Sequence, residues 1–257
     1  MAKTVLITGS TSGIGLATAK AFAAQGYNIA FNGLEPNGVE IAAEVAAEYK
    51  VDYIYSPANM LHSDQIISFV QATLDKFGKI EVLINNAGIQ FVSPVEDFPE
   101  DKWNDIISIN LTAAFIATKA VWPSMKANKF GRIINVASAH GLIASPYKSA
   151  YVAAKHGVVG FTKVMAMEGG AFGITCNAVC PGYVFTPIVE KQIGAQMEVN
   201  KMTREEVIEN VFLKEHAVKE FIPVETIAST ILYLCDSPAS ATITGIAMPL
   251  DAGWTAH

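Results

Sequence analysis

Three residues between positions 138 and 155 could together remove a proton from an alcohol. Tyr151 and Lys155 are four residues apart in a segment with helical character, and on a helix this spacing places the two side chains on one face. A neighbouring ammonium favours the phenolate form of tyrosine, whose phenol otherwise ionises near pH ~10. Ser138 can hydrogen-bond the oxygen that loses the proton. Alone, the Tyr-x-x-x-Lys pair is weak evidence, because average composition produces it by chance in roughly half of chains this long.

A glycine-rich turn near the N-terminus is typical of a phosphate-binding loop. Residues 4–7 form an apolar, strand-like run, and helical character begins at Ile14. Gly9, Gly13 and Gly15 fall where the strand turns into the helix. Glycine lets backbone N–H groups approach a phosphate, and a helix N-terminus favours the negative charge. The Gly-x-x-x-Gly-x-Gly spacing differs from the standard dinucleotide fingerprint, so the turn by itself is equally consistent with a purely structural connection.

Six short motifs resemble the short-chain dehydrogenase/reductase family over essentially the full length of the chain. In chain order they are TGSTSGIG at 8–15, NNAG at 85–88, SIN ending at Asn110, Ser138, YVAAK at 151–155 and PGYVFTP at 181–187. The resemblance implies a nicotinamide-dependent oxidoreductase with the catalytic residues Asn110, Ser138, Tyr151 and Lys155. In that scheme Tyr151 is the general base and Ser138 holds the substrate oxygen. Lys155 stabilises the phenolate and grips the ribose hydroxyls, and Asn110 positions a water that links Lys155 to solvent.

Alternation of strands and helices predicts the fold class. Strand-like runs near 4–8, 28–32, 52–56, 81–84, 132–137, 174–180 and 245–249 alternate with helical stretches near 14–25, 38–49, 63–76, 100–127, 149–171 and 223–235. Such alternation indicates right-handed crossovers and a parallel sheet covered on both faces. We therefore expect an α/β fold, a Rossmann-like doubly wound parallel sheet, in a single NAD-binding catalytic domain over residues 1–257.

The interval 183–222 interrupts this alternation. It contains two amphipathic stretches, near 188–200 and 203–215. Long ordered insertions beside an active site are often lids. We therefore expect a helical substrate lid within the domain, and a helical hairpin that only packs is the alternative.

The residues after the second strand favour NAD over NADP. Gly33, Leu34 and Glu35 offer no cation for a 2′-phosphate, and Ser12 stands where NADP-dependent members of the family often carry Arg or Lys. A carboxylate at Glu35 would repel such a phosphate if it pointed inward. An amide at Asn59, where many family members have an aspartate, can still accept a hydrogen bond from the adenine amine. By resemblance, the nucleotide is bound by Gly9, Thr11, Gly13, Ile14, Gly15, Leu34, Asn59, Met60, Asn86, Ala87, Gly88, Tyr151, Lys155, Pro181, Gly182, Val184 and Thr186.

Four hydrogen-bond donors near the predicted reaction centre point to a small anionic substrate. They are Gln90, His140, Lys148 and Gln192, and a carboxylate takes several charge-assisted hydrogen bonds. Position by position they match the carboxylate-binding set of one group within the family, the bacterial D-3-hydroxybutyrate dehydrogenases. Tyr183, a further expected substrate contact, stands where that group commonly has tryptophan, which leaves the preferred chain length open. The resemblance implies reversible oxidation of D-3-hydroxybutyrate to acetoacetate.

Two other functions are consistent with the sequence. One is a short-chain reductase for another small substrate, such as a diol, a sugar or a 3-oxoacyl thioester. Lys148 and His140 argue against a neutral substrate, and the missing 2′-phosphate cation argues against the NADPH-using acyl reductases. The other is a catalytically silent NAD-binding protein, against which the intact catalytic set argues.

Composition narrows the partners and the compartment. The net charge of −6 argues against a general nucleic-acid binder, and the apolar fraction of 51% suggests extra burial between subunits. Family resemblance implies a homotetramer. We expect no secretory signal, because the first apolar stretch is short and runs into the glycine-rich turn, and no membrane partner, because no apolar stretch is long enough to span a bilayer. No residue is assigned as a metal ligand, and the sequence leaves open whether a structural metal binds. Cys176, Cys180 and Cys235 are interpreted as buried free thiols of a cytoplasmic protein.

Overall fold

Seven parallel strands form one sheet in the computed structural model of this chain. The structure describes residues 2–256, apart from the side chains of Pro187, Ile188, Lys191, Gln192, Ala195, Val199 and Asn200. The strands are β1 (Thr4–Ile7), β2 (Asn28–Asn32), β3 (Tyr53–Ser56), β4 (Val82–Asn85), β5 (Gly131–Val136), β6 (Ile174–Pro181) and β7 (Ala247–Leu250). The α-helices of the described residues are α1 (Gly13–Ala24), α2 (Gly38–Tyr49), α3 (Ser63–Phe77), α4 (Glu100–Ile107), α5 (Ala113–Asn128), α6 (Ser149–Gly169), α7 (Pro187–Asn200), α8 (Arg204–Val207) and α9 (Val224–Asp236).

The strand order creates a crevice between β1 and β4. The order across the sheet is β3-β2-β1-β4-β5-β6-β7, and every neighbouring pair is parallel. The direction of strand addition reverses between β1 and β4, and ligands of such sheets bind outside the carboxyl ends of the strands at this point. Both strands are buried along their whole length, as expected when helices cover both faces. The predicted Rossmann-like, doubly wound parallel sheet is confirmed.

The predicted helix 100–127 is divided by a π-helical turn. This turn, Ser108–Thr112, contains Asn110 and separates α4 from α5. Together Glu100–Asn128 make a helical segment of 29 residues that is long and apolar enough to cross a membrane. The expectation that no stretch reaches that length was therefore wrong. Core helices of folded domains pass the same test, and this one contributes Ala113, Ala117, Val121 and Met125 to the core.

The interval 183–222 folds as a helical segment with an apolar cluster of its own. Val189 and Ile193 of α7 pack with Val207 of α8 and with Phe212 and Leu213. Arg204 and Glu190 join the two helices through a pair of hydrogen bonds of 2.6 and 2.7 Å. The two predicted amphipathic stretches are therefore helical. Opening and closing of this segment as a substrate lid stays a prediction.

Alanine at Gly170 should stabilise the protein. The sequence is consistent with a glycine that loosens the end of α6 or with a left-handed cap. The structure excludes the cap, because φ is −54° at Gly170 and the left-handed residue is Gly173, at +69°. A Cβ at Gly170 would have no atom within 4 Å, whereas one at Gly169 would lie 3.0 Å from Cβ of Ile174. In calorimetry we expect Gly170→Ala to raise Tm by roughly 2–4 °C and Gly169→Ala to lower it. A lower Tm for Gly170→Ala would contradict this account.

Candidate active site

One cavity of about 820 Å³ opens at the carboxyl edge of the sheet. Its wall includes residues at the ends of five strands, namely Gly9, Gly33, Asn86, Val136 and Pro181. The predicted site residues that line it are Gly9, Gly13, Ile14, Leu34, Asn59, Met60, Asn86, Ala87, Gly88, Gln90, Ser138, His140, Lys148, Tyr151, Lys155, Pro181, Gly182, Tyr183, Val184 and Thr186. The topology therefore brings most of the predicted residues to one place. The roles assigned to them remain predictions.

The turn before α1 has the shape that a nucleotide phosphate needs. Gly9 and Gly13 adopt left-handed conformations, with φ of +62° and +52°. A Cβ at Gly15 would lie 2.1 Å from the Gly9 carbonyl oxygen, so only glycine lets the helix pack this closely. The side chain of Ser12 does not cap the helix, which leaves the first N–H groups and the positive end of the helix dipole facing the cavity. These residues fit a bound dinucleotide.

Glu35 points towards this glycine-rich turn. Its carboxylate accepts hydrogen bonds from the hydroxyls of Thr11 and Ser12, the latter at 2.9 Å. Burial opposes the charge, but these bonds and backbone N–H groups outweigh it and hold the pKa of Glu35 below its usual range. A charged carboxylate therefore lines the cavity next to Leu34.

Among the predicted residues whose side chains the structure describes, three do not line the cavity. Thr11 is buried and acts indirectly, by donating to Glu35. Gly15 is buried beneath the turn. Asn110 is also buried, and its side-chain amide makes reciprocal 2.8 Å hydrogen bonds with the backbone N–H and carbonyl of Ile89. That pair fixes the segment after the NNAG motif, while the water-positioning role of Asn110 stays a prediction.

Ser138, Tyr151 and Lys155 meet in the cavity. Lys155 Nζ lies 5.5 Å from the centre of the Tyr151 ring and donates a 2.8 Å hydrogen bond to the Val136 carbonyl. The Ser138 hydroxyl hydrogen-bonds the Tyr151 phenol. The two α6 side chains thus share one face, as their spacing predicts. A substrate oxygen placed between the two hydroxyls can exchange a proton with Tyr151.

The net effect of the protein on the pKa of Tyr151 is a rise, contrary to the expectation from the sequence. Burial raises this pKa, and the hydrogen bond with Ser138 only partly opposes the rise. Burial also lowers the pKa of Lys155 to about 8, so part of its charge is lost just above neutrality. Near neutral pH the Tyr151 phenol therefore carries its proton, and further positive charge or a higher pH is needed to ionise it.

His140 is a neutral, buried ring held by two serines. Nδ1 faces the Ser138 hydroxyl at 3.5 Å and Nε2 faces the Ser145 hydroxyl at 2.9 Å. Its backbone N–H also donates to Ser138 Oγ, over 3.1 Å. Burial, and to a smaller extent the charge of Lys148, lowers the pKa of His140 to about 3. The ring can donate to a substrate carboxylate only by exchanging one of these hydroxyl partners.

Lys148 and Tyr183 lie in the same cavity. Lys148 Nζ is 5.7 Å from the centre of the Tyr183 ring. Burial lowers the pKa of Lys148, and in the described part of the chain no carboxylate lies within ion-pair distance of it. A half-buried cation without an acidic partner favours an anionic ligand. Gln90 is exposed at the rim, and the side chain of Gln192 lies outside the described residues.

Trp254 is a cavity residue that sequence reasoning missed. It is buried and stacks on Tyr183 with ring centroids 5.2 Å apart, and it meets the His140 ring edge-on at 5.1 Å. Asp251 shapes the turn that carries it, because its carboxylate accepts the backbone N–H groups of Gly253 and Thr255. An isolated aromatic residue after the last strand was the only signal. The other lining residues outside the predicted binding set are Ser12, Asn32, Gly33, Glu35, Ala58, Ile89, Ile109, Val136, Ala137 and Val189.

Comparisons with known proteins agree with this fold. A family model described as short chain dehydrogenase matches residues 3–196. D-beta-hydroxybutyrate dehydrogenase of Rhizobium meliloti (strain 1021) is 48% identical over 259 residues, covering 100% of both chains. D-beta-hydroxybutyrate dehydrogenase of Cupriavidus necator is 44% identical, covering 99% of this chain and 98% of that protein. The 3-oxoacyl-[acyl-carrier-protein] reductase of Synechocystis sp. is 36% identical, covering 98% of this chain and 96% of that one.

The chain belongs to the short-chain dehydrogenase family and is an oxidoreductase. The family membership expected from the six motifs is therefore confirmed. The similarity to the two D-beta-hydroxybutyrate dehydrogenases named above extends over 100% and 98% of their length.

Proposed function

We propose that this enzyme catalyses the reversible, NAD-dependent oxidation of D-3-hydroxybutyrate to acetoacetate. The observation that carries the proposal is Lys148, a half-buried cation without an acidic partner in the described part of the chain, which shares a cavity with Ser138 and Tyr151. A hydroxy acid carries an alcohol and a carboxylate in one small molecule, so it can engage the proton-transfer residues and the cation together. The similarity to two D-beta-hydroxybutyrate dehydrogenases, over 98% or more of each chain, supports the same substrate.

Four residues of the chain have distinct roles in the proposed reaction. The nicotinamide, when bound, supplies the hydride acceptor. Tyr151, as phenolate, takes the proton of the substrate hydroxyl, and the Ser138 hydroxyl donates to the same oxygen as negative charge develops there. Lys155 stabilises the phenolate while it remains charged, and Lys148 pairs with the carboxylate. In the reverse direction neutral Tyr151 returns the proton to the carbonyl oxygen.

The most informative experiment measures NADH formation with a panel of alcohols. The panel contains D- and L-3-hydroxybutyrate, neutral diols and sugar alcohols, and the reverse reaction is tested with acetoacetate and with a 3-oxoacyl thioester. We expect the highest kcat/KM for D-3-hydroxybutyrate and acetoacetate. Higher efficiency with the thioester would favour the alternative function of an acyl reductase. The thioester is included because the chain is also similar to the Synechocystis reductase.

NAD is the proposed cofactor because Glu35 presents a negative charge to the cavity. A carboxylate accepts a hydrogen bond from a ribose hydroxyl and repels a 2′-phosphate. Leu34, the neighbouring lining residue, is 64% exposed and brings no cation. We therefore expect kcat/KM with NAD to exceed that with NADP by at least tenfold, about 1.4 kcal/mol. Equal efficiency of the wild-type enzyme with the two cofactors would show that Glu35 does not select against the phosphate.

Charge removal at Glu35 should weaken this preference. We expect Glu35→Gln to lower the ratio of kcat/KM with NAD to kcat/KM with NADP. Leu34→Arg should lower this ratio further, because it adds a cation. Glu40→Gln is the matched control, because Glu40 is exposed on α2 and does not line the cavity. The control should keep the wild-type ratio.

We propose that the protein is a homotetramer in the cytoplasm. Its partner is the small anionic substrate, and we expect it to bind neither nucleic acid nor a membrane. Large apolar side chains are exposed on α5 and α6, among them Phe115, Val164 and Met167, which is 87% exposed. Association of these faces would bury them. The three cysteines are buried free thiols, which suits a reducing compartment. Light scattering coupled to size exclusion tests the tetramer, and a monomer at micromolar concentration would contradict it.

A further inference from the structure

His216 lies behind the cavity wall that contains Tyr183 and Trp254. It belongs to the interval 183–222 and follows helices α7 and α8. It is 1% exposed and does not line the cavity. Its Nδ1 is 3.1 Å from the Glu220 carbonyl oxygen, and the Tyr183 backbone N–H points to its Nε2 over 3.4 Å. A carbonyl oxygen can only accept, so Nδ1 carries the hydrogen and Nε2 accepts from Tyr183. These two contacts require a neutral ring.

The same ring joins two cavity residues that contact each other. The His216 centroid is 5.9 Å from that of Tyr183 and 5.8 Å from that of Trp254, whose own rings are stacked. The next two residues, Ala217 and Val218, both donate backbone hydrogen bonds to the Ala252 carbonyl, at 2.9 and 3.0 Å. Hydrogen bonds and ring contacts around His216 thus join the end of the interval 183–222 to the C-terminal turn and to the cavity wall.

We propose that His216 is a positioning residue for the substrate pocket, whose neutral ring holds Tyr183 against Trp254 and so fixes the wall that the substrate contacts. The pocket role of Tyr183 rests on the proposed function. His216 itself touches neither substrate nor reacting atoms, and it acts through the Tyr183 backbone and the two rings. Gly182 is part of the same contact, since a Cβ there would lie 3.0 Å from His216 Nε2.

Protonation of His216 should loosen this wall. A protonated Nε2 can no longer accept the Tyr183 N–H. The groups that face the ring are Lys219 and the Glu220 carbonyl from its own segment, Asp251 from the C-terminal turn and Tyr183 from the opposite side. Burial, the largest influence, lowers the pKa of His216 despite the hydrogen bond to Glu220 and the charge of Asp251. The loosening is therefore expected only as the pH falls below the ordinary range of histidine, about 6.5.

The first test is kinetic. His216→Leu removes both polar contacts, and we expect KM for 3-hydroxybutyrate to rise about tenfold, with kcat changed less than about threefold and NADH affinity unchanged. His216→Gln can still donate and accept, so it should stay within about threefold of the wild-type KM. His156→Leu is the matched control, because His156 is exposed on α6 and does not line the cavity. An unchanged KM in a folded His216→Leu protein overturns the proposal.

The second test needs no substrate. The chain has three tryptophans, so the emission of Trp254 is taken as the difference between each protein and its Trp254→Phe counterpart. We expect this emission to change as the pH falls below about 6.5 in the wild-type protein and to stay constant in His216→Gln. Equal titration in both proteins, or in neither, overturns the proposal. This comparison decides the question if His216→Leu does not fold. A positive result without oxidation of 3-hydroxybutyrate would leave the positioning role intact and refute only the proposed substrate.

Discussion

Replacing Tyr151 by phenylalanine should lower the rate of alcohol oxidation by roughly 10²- to 10⁴-fold, the usual contribution of a general base. The ring and its packing remain, but the oxygen that exchanges the proton with the substrate is gone. NADH should still bind, which a fluorescence titration can measure. Tyr233→Phe is the matched control, since Tyr233 is 44% exposed on α9 and should tolerate the loss of its hydroxyl. Substantial oxidation by Tyr151→Phe would assign the base to another residue, with neutral His140 the first candidate.

The direction of the pH dependence follows from the pKa of Tyr151, which burial raises. Oxidation needs the phenolate, so its rate should rise with pH between about 6 and about 9. Reduction needs the phenol, which keeps its proton over the same interval because its pKa is raised, so the rate of reduction should change little. Loss of the Lys155 charge above its pKa of about 8 works against the phenolate, so the rise should flatten at the alkaline end. Both limbs are measured from initial rates in wild-type enzyme. An oxidation rate independent of pH would contradict proton transfer to Tyr151.

Removing the charge of Lys148 should lower kcat/KM for 3-hydroxybutyrate by roughly 30- to 1,000-fold, corresponding to about 2–4 kcal/mol for a desolvated charge pair. Lys148→Met keeps the length of the side chain and removes only the ammonium. His140→Ala should act in the same direction, because it opens the pocket beside Tyr151 and removes a hydrogen-bonding ring. NAD affinity should survive in both variants. The measurement is steady-state kinetics with 3-hydroxybutyrate and, for comparison, with a neutral secondary alcohol.

The comparison alcohol separates a charge effect from damage to the pocket. If Lys148 pairs with the carboxylate, Lys148→Met should leave the slow oxidation of the neutral alcohol nearly unchanged. Lys20→Ala is a control for the loss of a lysine elsewhere, because Lys20 lies on the surface of α1, 3.8 Å from Glu48. Wild-type kcat/KM for 3-hydroxybutyrate in Lys148→Met would remove the basis for an anionic substrate.

Local signals in the sequence were sufficient for the sheet and for the parts of the site that lie on motifs. The apolar runs locate the strands to within a residue or two, because strands buried on both faces read as continuous hydrophobic stretches. The four-residue spacing of Tyr151 and Lys155 correctly places them on one helix face, and the glycine-rich turn correctly falls between β1 and α1. These features depend on residues close together in the chain.

Features that depend on distant contacts could not be predicted in this way. Trp254 reaches the cavity through a turn held by Asp251, and His216 meets Tyr183 from 33 positions along the chain. The raised pKa of Tyr151 was missed because the spacing reveals the neighbouring Lys155 but not the burial of the phenol, which raises the pKa. Nor does the sequence show that the side-chain amide of Asn110 is hydrogen-bonded to the backbone of Ile89.

Recognition of the substrate carboxylate is tested by comparing D-3-hydroxybutyrate with its methyl ester as substrates of the wild-type enzyme with NAD. The two molecules share the reacting alcohol and differ in the charge that Lys148 is proposed to bind. We expect the acid to be oxidised with at least tenfold higher kcat/KM than the ester, with one acetoacetate formed for each NADH, and we expect Lys148→Met to remove most of this difference. Equal or better use of the ester by the wild-type enzyme would contradict the account.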